Sequence, residues 1–193
     1  NELESHKNID AVVGKCAEYK LDGSQNLWHL RYTEWKEGKF SRSENVRKRI
    51  LDKTATFYLY YAIIRTENWK HIIRSTFSFR FQHDHAHEIL NKFFSLTYCR
   101  VAVKNHLMWI KEAWSLNPEV IGQASRIRDE DWYRNAENRE QVDLVLEEMA
   151  KGLASATSFS KFRSRAIARR YFRRFIAPRS QSAGFRHNKA VVL

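Results

Sequence analysis

Arginine is concentrated in the segment 159–177, which reads FSKFRSRAIARRYFRRFIA. At the helical spacing of about 100° per residue, its basic side chains fall on one half of the helix and its apolar side chains on the other. The basic half holds Arg169, Arg170, Arg173 and Arg174, with Arg165 at the border, and the apolar half holds Ile167, Ala168, Tyr171, Phe172, Phe175 and Ile176. A guanidinium group is planar, weakly hydrated and matched to phosphate oxygens by paired donors. The spacing therefore predicts an amphipathic helix whose basic half faces a polyanion.

A second basic region lies far from this segment in the chain. Residues 31–80 carry twelve basic and five acidic side chains, whereas residues 158–193 carry ten basic and none acidic, in a chain of net charge +12. Two concentrated basic regions are typical of proteins that bind polyanions. The basic residues of the second region surround a predicted helix start, where free N–H groups also attract anions.

We expect these two regions to supply contacts to the backbone of DNA or RNA. The predicted contact residues are Arg163, Arg165, Arg169, Arg170, Arg173, Arg174, Arg179, Arg186 and Lys189 near the carboxyl end, and Lys39, Arg42, Arg47, Lys48, Arg49 and Lys53 in the second region. No pattern among them resembles a base-reading code, so binding should be independent of sequence and weakened by salt. A self-associating packaging protein, such as a nucleocapsid, a coat protein or a chromatin-like protein, would combine these properties.

Two other interpretations fit the same arginine-rich helix. Its arginines can pair with the acidic segment 129–148 of the same chain, which would make it a solvated structural helix. A basic face opposite an aromatic and aliphatic face is also typical of helices that dock on anionic membranes or on acidic protein partners.

The densest group of potential metal ligands is the run His83, Asp84, His85, His87 and Glu88. On a helix His83 and His87 share a face, and two imidazoles at that spacing can hold a metal if a third ligand is supplied. The alternative is a polar loop and helix start capped by Asp84. We expect no metal and no cofactor, and no phosphate-loop, dinucleotide-binding or nucleophile-elbow motif is present.

An enzymatic alternative rests on Arg100 and His106, which are separated by five residues. This spacing resembles the Arg–His pair of HEPN-type ribonucleases, which are all-α proteins. The resemblance implies metal-independent cleavage of RNA, with both residues acting at the scissile phosphate and the 2′-hydroxyl. The residue after the arginine is Val101, where that family usually has a polar side chain.

The composition predicts a folded, all-α domain. Hydrophobic residues make up 43% and aromatic residues 13% of the chain, which excludes a disordered protein, and six glycines and two prolines are few for a fold with many tight turns. We expect a bundle of about five to seven helices, with a core domain over 1–157 and a basic helix and flexible tail over 158–193. The predicted helices span 3–21, about 28–38, 46–74, 84–114, a short piece after Pro118, 129–151 and about 158–177, with a capping box formed by Ser41 and Glu44. The cluster of Tyr58, Tyr60 and Tyr61 and the alternating Phe77, Phe79 and Phe81 also fit a strand.

The two cysteines, Cys16 and Cys99, fit reduced thiols better than a disulfide scaffold or a four-thiolate zinc site. No apolar run is long enough to cross a bilayer, and no signal-peptide pattern opens the chain. We therefore expect an intracellular or virion-like location.

Overall fold

The computed structural model describes residues 2–21, 24, 27–33, 35–55, 59–78, 81, 84–112 and 135–176. In these ranges the strands are β1 (Ala11–Leu21), β2 (Leu27–Thr33), β3 (Ile63–Ile64) and β4 (Val101–Glu112). The helices are α1 (Glu2–Ser5), α2 (Val46–Ile50), α3 (Thr66–Thr76), α4 (Asp84–Tyr98), α5 (Arg139–Ala156) and α6 (Lys161–Ile176), with 3-10 turns at Leu59–Tyr61 and Ala136–Asn138. A sheet packed with helices makes this an α/β protein, so the predicted all-α bundle is wrong.

Strand β1 is the centre of a mixed sheet. Along one edge it pairs antiparallel with β3 at Ala11 and Val12, and with β2 from Cys16 onward. Along the other edge it pairs in parallel with β4 over most of its length. Because neighbouring residues of a strand face opposite sides, Val13 packs into the main core while Val12 packs against α1.

The predicted helices failed where short apolar runs carry β-branched residues. The helix expected over 3–21 is the short α1 followed by β1, and the piece expected over 28–38 is mostly β2. The helix expected over 84–114 ends at Tyr98 and is followed by β4, while the one expected over 46–74 is divided into α2, a 3-10 turn, β3 and α3. Such runs fit a buried strand as well as a helix, so periodicity alone does not separate the two.

The main core is formed between the sheet and the four longer helices. Its largest fully buried side chains include Phe93 and Phe94 of α4, Met149 of α5 and Phe172 of α6. Burying each such side chain contributes about 1.5–3 kcal/mol to folding. Because α6 packs along α5 and shares this core, the orientation of the arginine-rich helix is fixed by its apolar half.

Helices α4 and α5 are in close contact at Gly152. A Cβ atom there would overlap the buried ring of Phe94. Replacing Gly152 with alanine should therefore lower the free energy of unfolding by about 1–3 kcal/mol, although alanine favours a helix elsewhere. Urea unfolding followed by circular dichroism measures the change.

The matched control is Ser155→Ala, at an exposed position of the same helix, which should not destabilise the fold. Adding Phe94→Leu to the Gly152→Ala variant should recover part of the loss, because the smaller side chain relieves the overlap. Equal stability of Gly152→Ala and the wild type would contradict this packing.

Candidate polyanion-binding site

Helix α6 forms as its sequence predicts. Ser160 caps its start, since the Oγ of Ser160 accepts a hydrogen bond from the backbone N–H of Arg163 at 3.3 Å. On the apolar half Ile167, Ala168, Tyr171 and Phe172 are all buried. On the basic half Arg169, Arg170 and Arg173 are exposed, and Arg174 is half-buried. The predicted amphipathic helix is confirmed for these positions.

The two basic regions meet at one open pocket, which we call the basic pocket. It has a volume of about 270 Å³ and is lined by Leu51, Lys53, Arg170, Arg173 and Arg174. Its volume is slightly below the roughly 300–1,000 Å³ of pockets that hold drug-sized ligands. A cavity of this size with four cationic side chains suits a phosphate group rather than a large organic molecule.

Asp52 joins the two sides of the basic pocket. Its backbone carbonyl accepts a hydrogen bond of 2.5 Å from the Nη2 of Arg174, which links the end of α6 to the turn after α2. Its carboxylate accepts hydrogen bonds from the backbone N–H of Phe40 at 2.8 Å and from the N–H and Oγ1 of Thr54 at 2.9 and 2.7 Å. The turn that carries Lys53 is therefore tied both to residues 38–41 and to α6.

The turn at 38–41 fits closely against Asp52. A Cβ atom at Gly38 would overlap the Asp52 carboxylate, so only glycine leaves room for this contact. The Oγ of Ser41 accepts a hydrogen bond from the Gly38 N–H at 2.8 Å, and α2 is capped by Asn45 instead. The predicted capping box between Ser41 and Glu44 is therefore wrong, because the Ser41 hydroxyl closes the preceding turn.

Most of the positive charge at the basic pocket has no ion-pair partner within the described chain. Among those residues no carboxylate pairs with Arg169, Arg170 or Arg173, and the contact between α6 and an acid of α5 is that of Lys161 with Glu147 at 3.4 Å. Burial lowers the pKa of Arg174 and neighbouring Arg170 adds to this, whereas Tyr171 and the carboxylate of Asp52 oppose the shift. A bound anion would relieve the cost of burying this guanidinium charge.

Other predicted contact residues lie beside aromatic rings. Lys39 and Lys48 lie over the half-buried ring of Phe40, with their Nζ atoms 5.6 and 5.3 Å from its centroid. The guanidinium of Arg163 lies 4.1 Å from the ring centroid of Phe159. These distances are typical of cation–π interactions, which hold the cations in place and leave their charge available to a bound anion. Arg47 is exposed and Arg165 is half-buried.

Two predicted residues have structural partners. Arg42 forms an ion pair with Glu37 at 2.5 Å. Arg49 is only 5% exposed, and its guanidinium donates to the carbonyl oxygens of Ser43, Glu44, Leu96 and Thr97. Because these last two carbonyls end α4, Arg49 ties α2 to α4 and is not part of the pocket. Arg179, Arg186 and Lys189 lie outside the described residues.

The candidate metal ligands are not gathered into a site in the part of the chain that the structure describes. His83 and the side chain of His85 are outside it, and His87 packs against the rings of Phe77 and Phe81, with centroids 5.1 and 5.3 Å away. No group of three potential metal ligands occurs among the described side chains.

The Arg–His pair does not have the helical setting that its resemblance implies. Arg100 precedes β4 and forms an ion pair with Asp10 at 2.8 Å, and the same carboxylate accepts the Arg100 backbone N–H. His106 is exposed in β4, in a bulge between the pairs Val13–Val103 and Lys15–Leu107. Arg100 therefore fastens the starts of β1 and β4, and the likeness to HEPN-type ribonucleases is limited to the spacing.

Both cysteines are free and buried. Burial, with a smaller contribution from Asp10, raises the pKa of Cys99 to about 12, so its thiol is protonated at neutral pH. A protonated, buried thiol is a poor nucleophile.

The chain matches no family model, no curated protein and no solved structure, so its function has to be argued from the site itself. Within the described ranges no helix combines the length and the apolar character needed to span a bilayer.

Sequence reasoning missed Leu51, which lines the basic pocket, and Asp52, whose hydrogen bonds hold the adjoining turn. The run Asp52-Lys53-Thr54 does contain a usable signal, because aspartate side chains commonly bond to the backbone two residues later in turns. That pattern predicts a fixed turn at Lys53, where a helical interpretation of 46–74 predicts none.

The Asp52 carboxylate should make folding pH-dependent. Burial opposes its charge, but the hydrogen bonds from Thr54 and Phe40 outweigh burial and lower its pKa below the usual 3.8. Its contribution to stability is therefore fully present at a pH above the usual pKa, and it is lost as the pH falls through the lower pKa of the folded state. Asp52→Asn should cost about 1–2 kcal/mol near neutral pH and less below about pH 3.

Urea unfolding of both proteins at the two pH values measures this difference. The control Asp143→Asn changes an exposed aspartate of α5 and should leave the free energy of unfolding nearly unchanged at each pH. A cost of Asp52→Asn that is the same at both pH values would contradict the charged hydrogen-bond network.

Proposed function

We propose that this protein binds the phosphate backbone of nucleic acid, without reading base sequence, at the basic pocket and the exposed arginines of α6. The observation that carries the proposal is the convergence of Lys53 with Arg170, Arg173 and Arg174 on one pocket. Lys53 of the second basic region thus meets three arginines that lie more than a hundred residues later in the sequence. Phosphate contacts of this kind supply affinity and position but carry no sequence information.

The burial of the apolar face of α6 favours a nucleic acid as its partner over a membrane or a protein with an apolar groove. A helix that docks on a membrane or in a protein groove uses its apolar face. In α6 that face is already in the core, where Phe172 is 1% and Tyr171 5% exposed. Apart from Phe162 in the first turn, α6 presents mainly charged side chains to a partner, and its guanidinium groups are suited to phosphate.

The same geometry supports binding of nucleic acid rather than its catalytic cleavage. The side chain of Arg100 is engaged with Asp10, and His106 lies on the following strand rather than on a shared helix face. The basic pocket has no described carboxylate or histidine among its lining residues that would act as a general base. We therefore propose a stoichiometric nucleic-acid complex.

A packaging role adds self-association to this binding activity. Strand β4 is an edge strand, since it pairs only with β1 among the four strands. Ile110 of β4 and Tyr32 of β2 flank Ala17 in register, and they are 65% and 56% exposed. An exposed apolar strip beside a strand edge is a suitable contact for a second copy of the chain.

Removing two pocket charges tests the binding proposal. The double variant Arg170→Gln/Arg173→Gln should bind an oligonucleotide about 30-fold more weakly at roughly 0.1 M salt, because it loses two phosphate contacts. The slope of log affinity against log salt concentration should become less steep by about 1.5. Fluorescence anisotropy over a salt series measures both quantities.

The matched control is Arg74→Gln/Arg139→Gln, which removes the same charge from exposed positions on α3 and α5. It should retain most of the affinity, and circular dichroism should show that both double variants are folded. Equal losses in the two double variants would mean that overall charge, rather than the basic pocket, binds the polyanion.

The packaging form of the proposal has a separate test. Ile110→Lys should leave binding to a short oligonucleotide unchanged but abolish multi-subunit assembly on a long strand, because a charge is placed in the apolar strip. Light scattering of the complexes reports assembly. Ile63→Lys, at an exposed isoleucine of β3, is the control and should still assemble. If the wild type bound a long strand without forming multi-subunit assemblies, the packaging role would be contradicted, whereas the proposal of backbone binding would stand.

A further inference from the structure

Phe162 is the most exposed large apolar side chain of the described chain. It lies in the first turn of α6 and is 86% exposed, whereas Ile167, Ala168, Tyr171 and Phe172 of the same helix are buried in the core. An isolated exposed apolar residue needs no explanation by itself. Its position relative to the arginines does need one.

Phe162 lies in line with the exposed arginines. At about 100° per residue, Arg169 and Arg173 lie within about 20° of Phe162 around the helix axis, and exposed Ala166 lies between them. The line from Phe162 to Arg173 is about 16 Å long at about 1.5 Å per residue. That length corresponds to about five stacked nucleotides at roughly 3.4 Å each. We call this line the α6 stripe.

The start of the α6 stripe has a second flat surface. Arg163 follows Phe162, about 100° away around the helix axis, and its guanidinium carbon lies 4.1 Å from the ring centroid of Phe159. Unpaired bases stack on both aromatic rings and guanidinium planes, and a cationic track beside such platforms is typical of proteins that bind single strands. A base pair within a duplex offers its face to a phenylalanine only when the stack is opened, which costs a few kcal/mol per step.

From this juxtaposition we infer that the polyanion is a single strand, with a base stacked on Phe162 and the backbone following Arg169 and Arg173 to the basic pocket. The inference rests on the proposed function and adds to it that the bound nucleic acid is single-stranded. Stacking tolerates any base, because every base has a flat face, so it is compatible with binding that does not read sequence. The exposed ring would then be covered in the complex.

The experiment compares three probes of about 20 nucleotides: oligothymidylate, an abasic phosphodiester of the same length and a duplex of mixed sequence. Anisotropy titrations at one salt concentration are performed with the wild type, Phe162→Leu and Phe162→Trp. The wild type should bind oligothymidylate at least tenfold more tightly than the abasic strand. Phe162→Leu should lose about tenfold on oligothymidylate and nothing on the abasic strand, and Phe162→Trp should retain the affinity.

The matched control is Phe77→Leu, which removes an exposed ring after α3 and should change no affinity. Equal wild-type affinity for the oligothymidylate and abasic strands, or tighter binding to the duplex, would overturn the inference while leaving backbone binding intact. An equal loss of Phe162→Leu on the base-bearing and abasic strands would also overturn it, because no base would be involved. If the wild type bound none of the three probes, the proposed function itself would be overturned.

Discussion

The hydrogen bond from Arg174 to the Asp52 carbonyl is the contact on which the candidate site depends. It joins α6 to a turn more than a hundred residues earlier in the chain and so helps to hold Lys53 beside the arginines. The same aspartate uses its carboxylate to hold Phe40 and Thr54, so a single residue fixes the turn from both its backbone and its side chain. The carboxylate thereby shapes the basic pocket, and its charge also favours the charged form of neighbouring Arg174.

The hydrophobic core supplies the second constraint. Tyr171 and Phe172 anchor α6 against the other helices, and their burial determines which way the arginines on either side of them point. Repulsion among those arginines would favour their moving apart in solution, but they share one rigid helix. The free energy of core packing therefore maintains a concentration of positive charge that the arginines alone would not maintain. An anion bound to the pocket would gain from charges that are already in place, with little loss of side-chain freedom.

The sequence predicted the local features of the site better than the fold. The alternation of arginine and apolar residues in α6 was sufficient to predict its faces, because a helix repeats at a fixed angle and both classes of residue are numerous there. The strands were missed because the valines of β1 and β4 occur in short runs that fit either structure, and a parallel pairing of Ala11 with Val101 is decided by contacts distant in sequence. Arg49 was misassigned for a similar reason: its type and position resemble those of Lys53, and only the packing of α2 on α4 turns it inward.

The central claim is that Arg170, Arg173 and Arg174 form one phosphate-binding surface, and the resonances of the arginine Nε–H groups test it most directly. In a titration with a short oligonucleotide, followed by nuclear magnetic resonance, the Nε–H signals of these three residues should shift together along one saturable curve. Those of Arg49 and Arg100, which are held by carbonyl oxygens and by Asp10, should stay in place. Saturation of the complex with the three pocket signals unmoved would contradict the account.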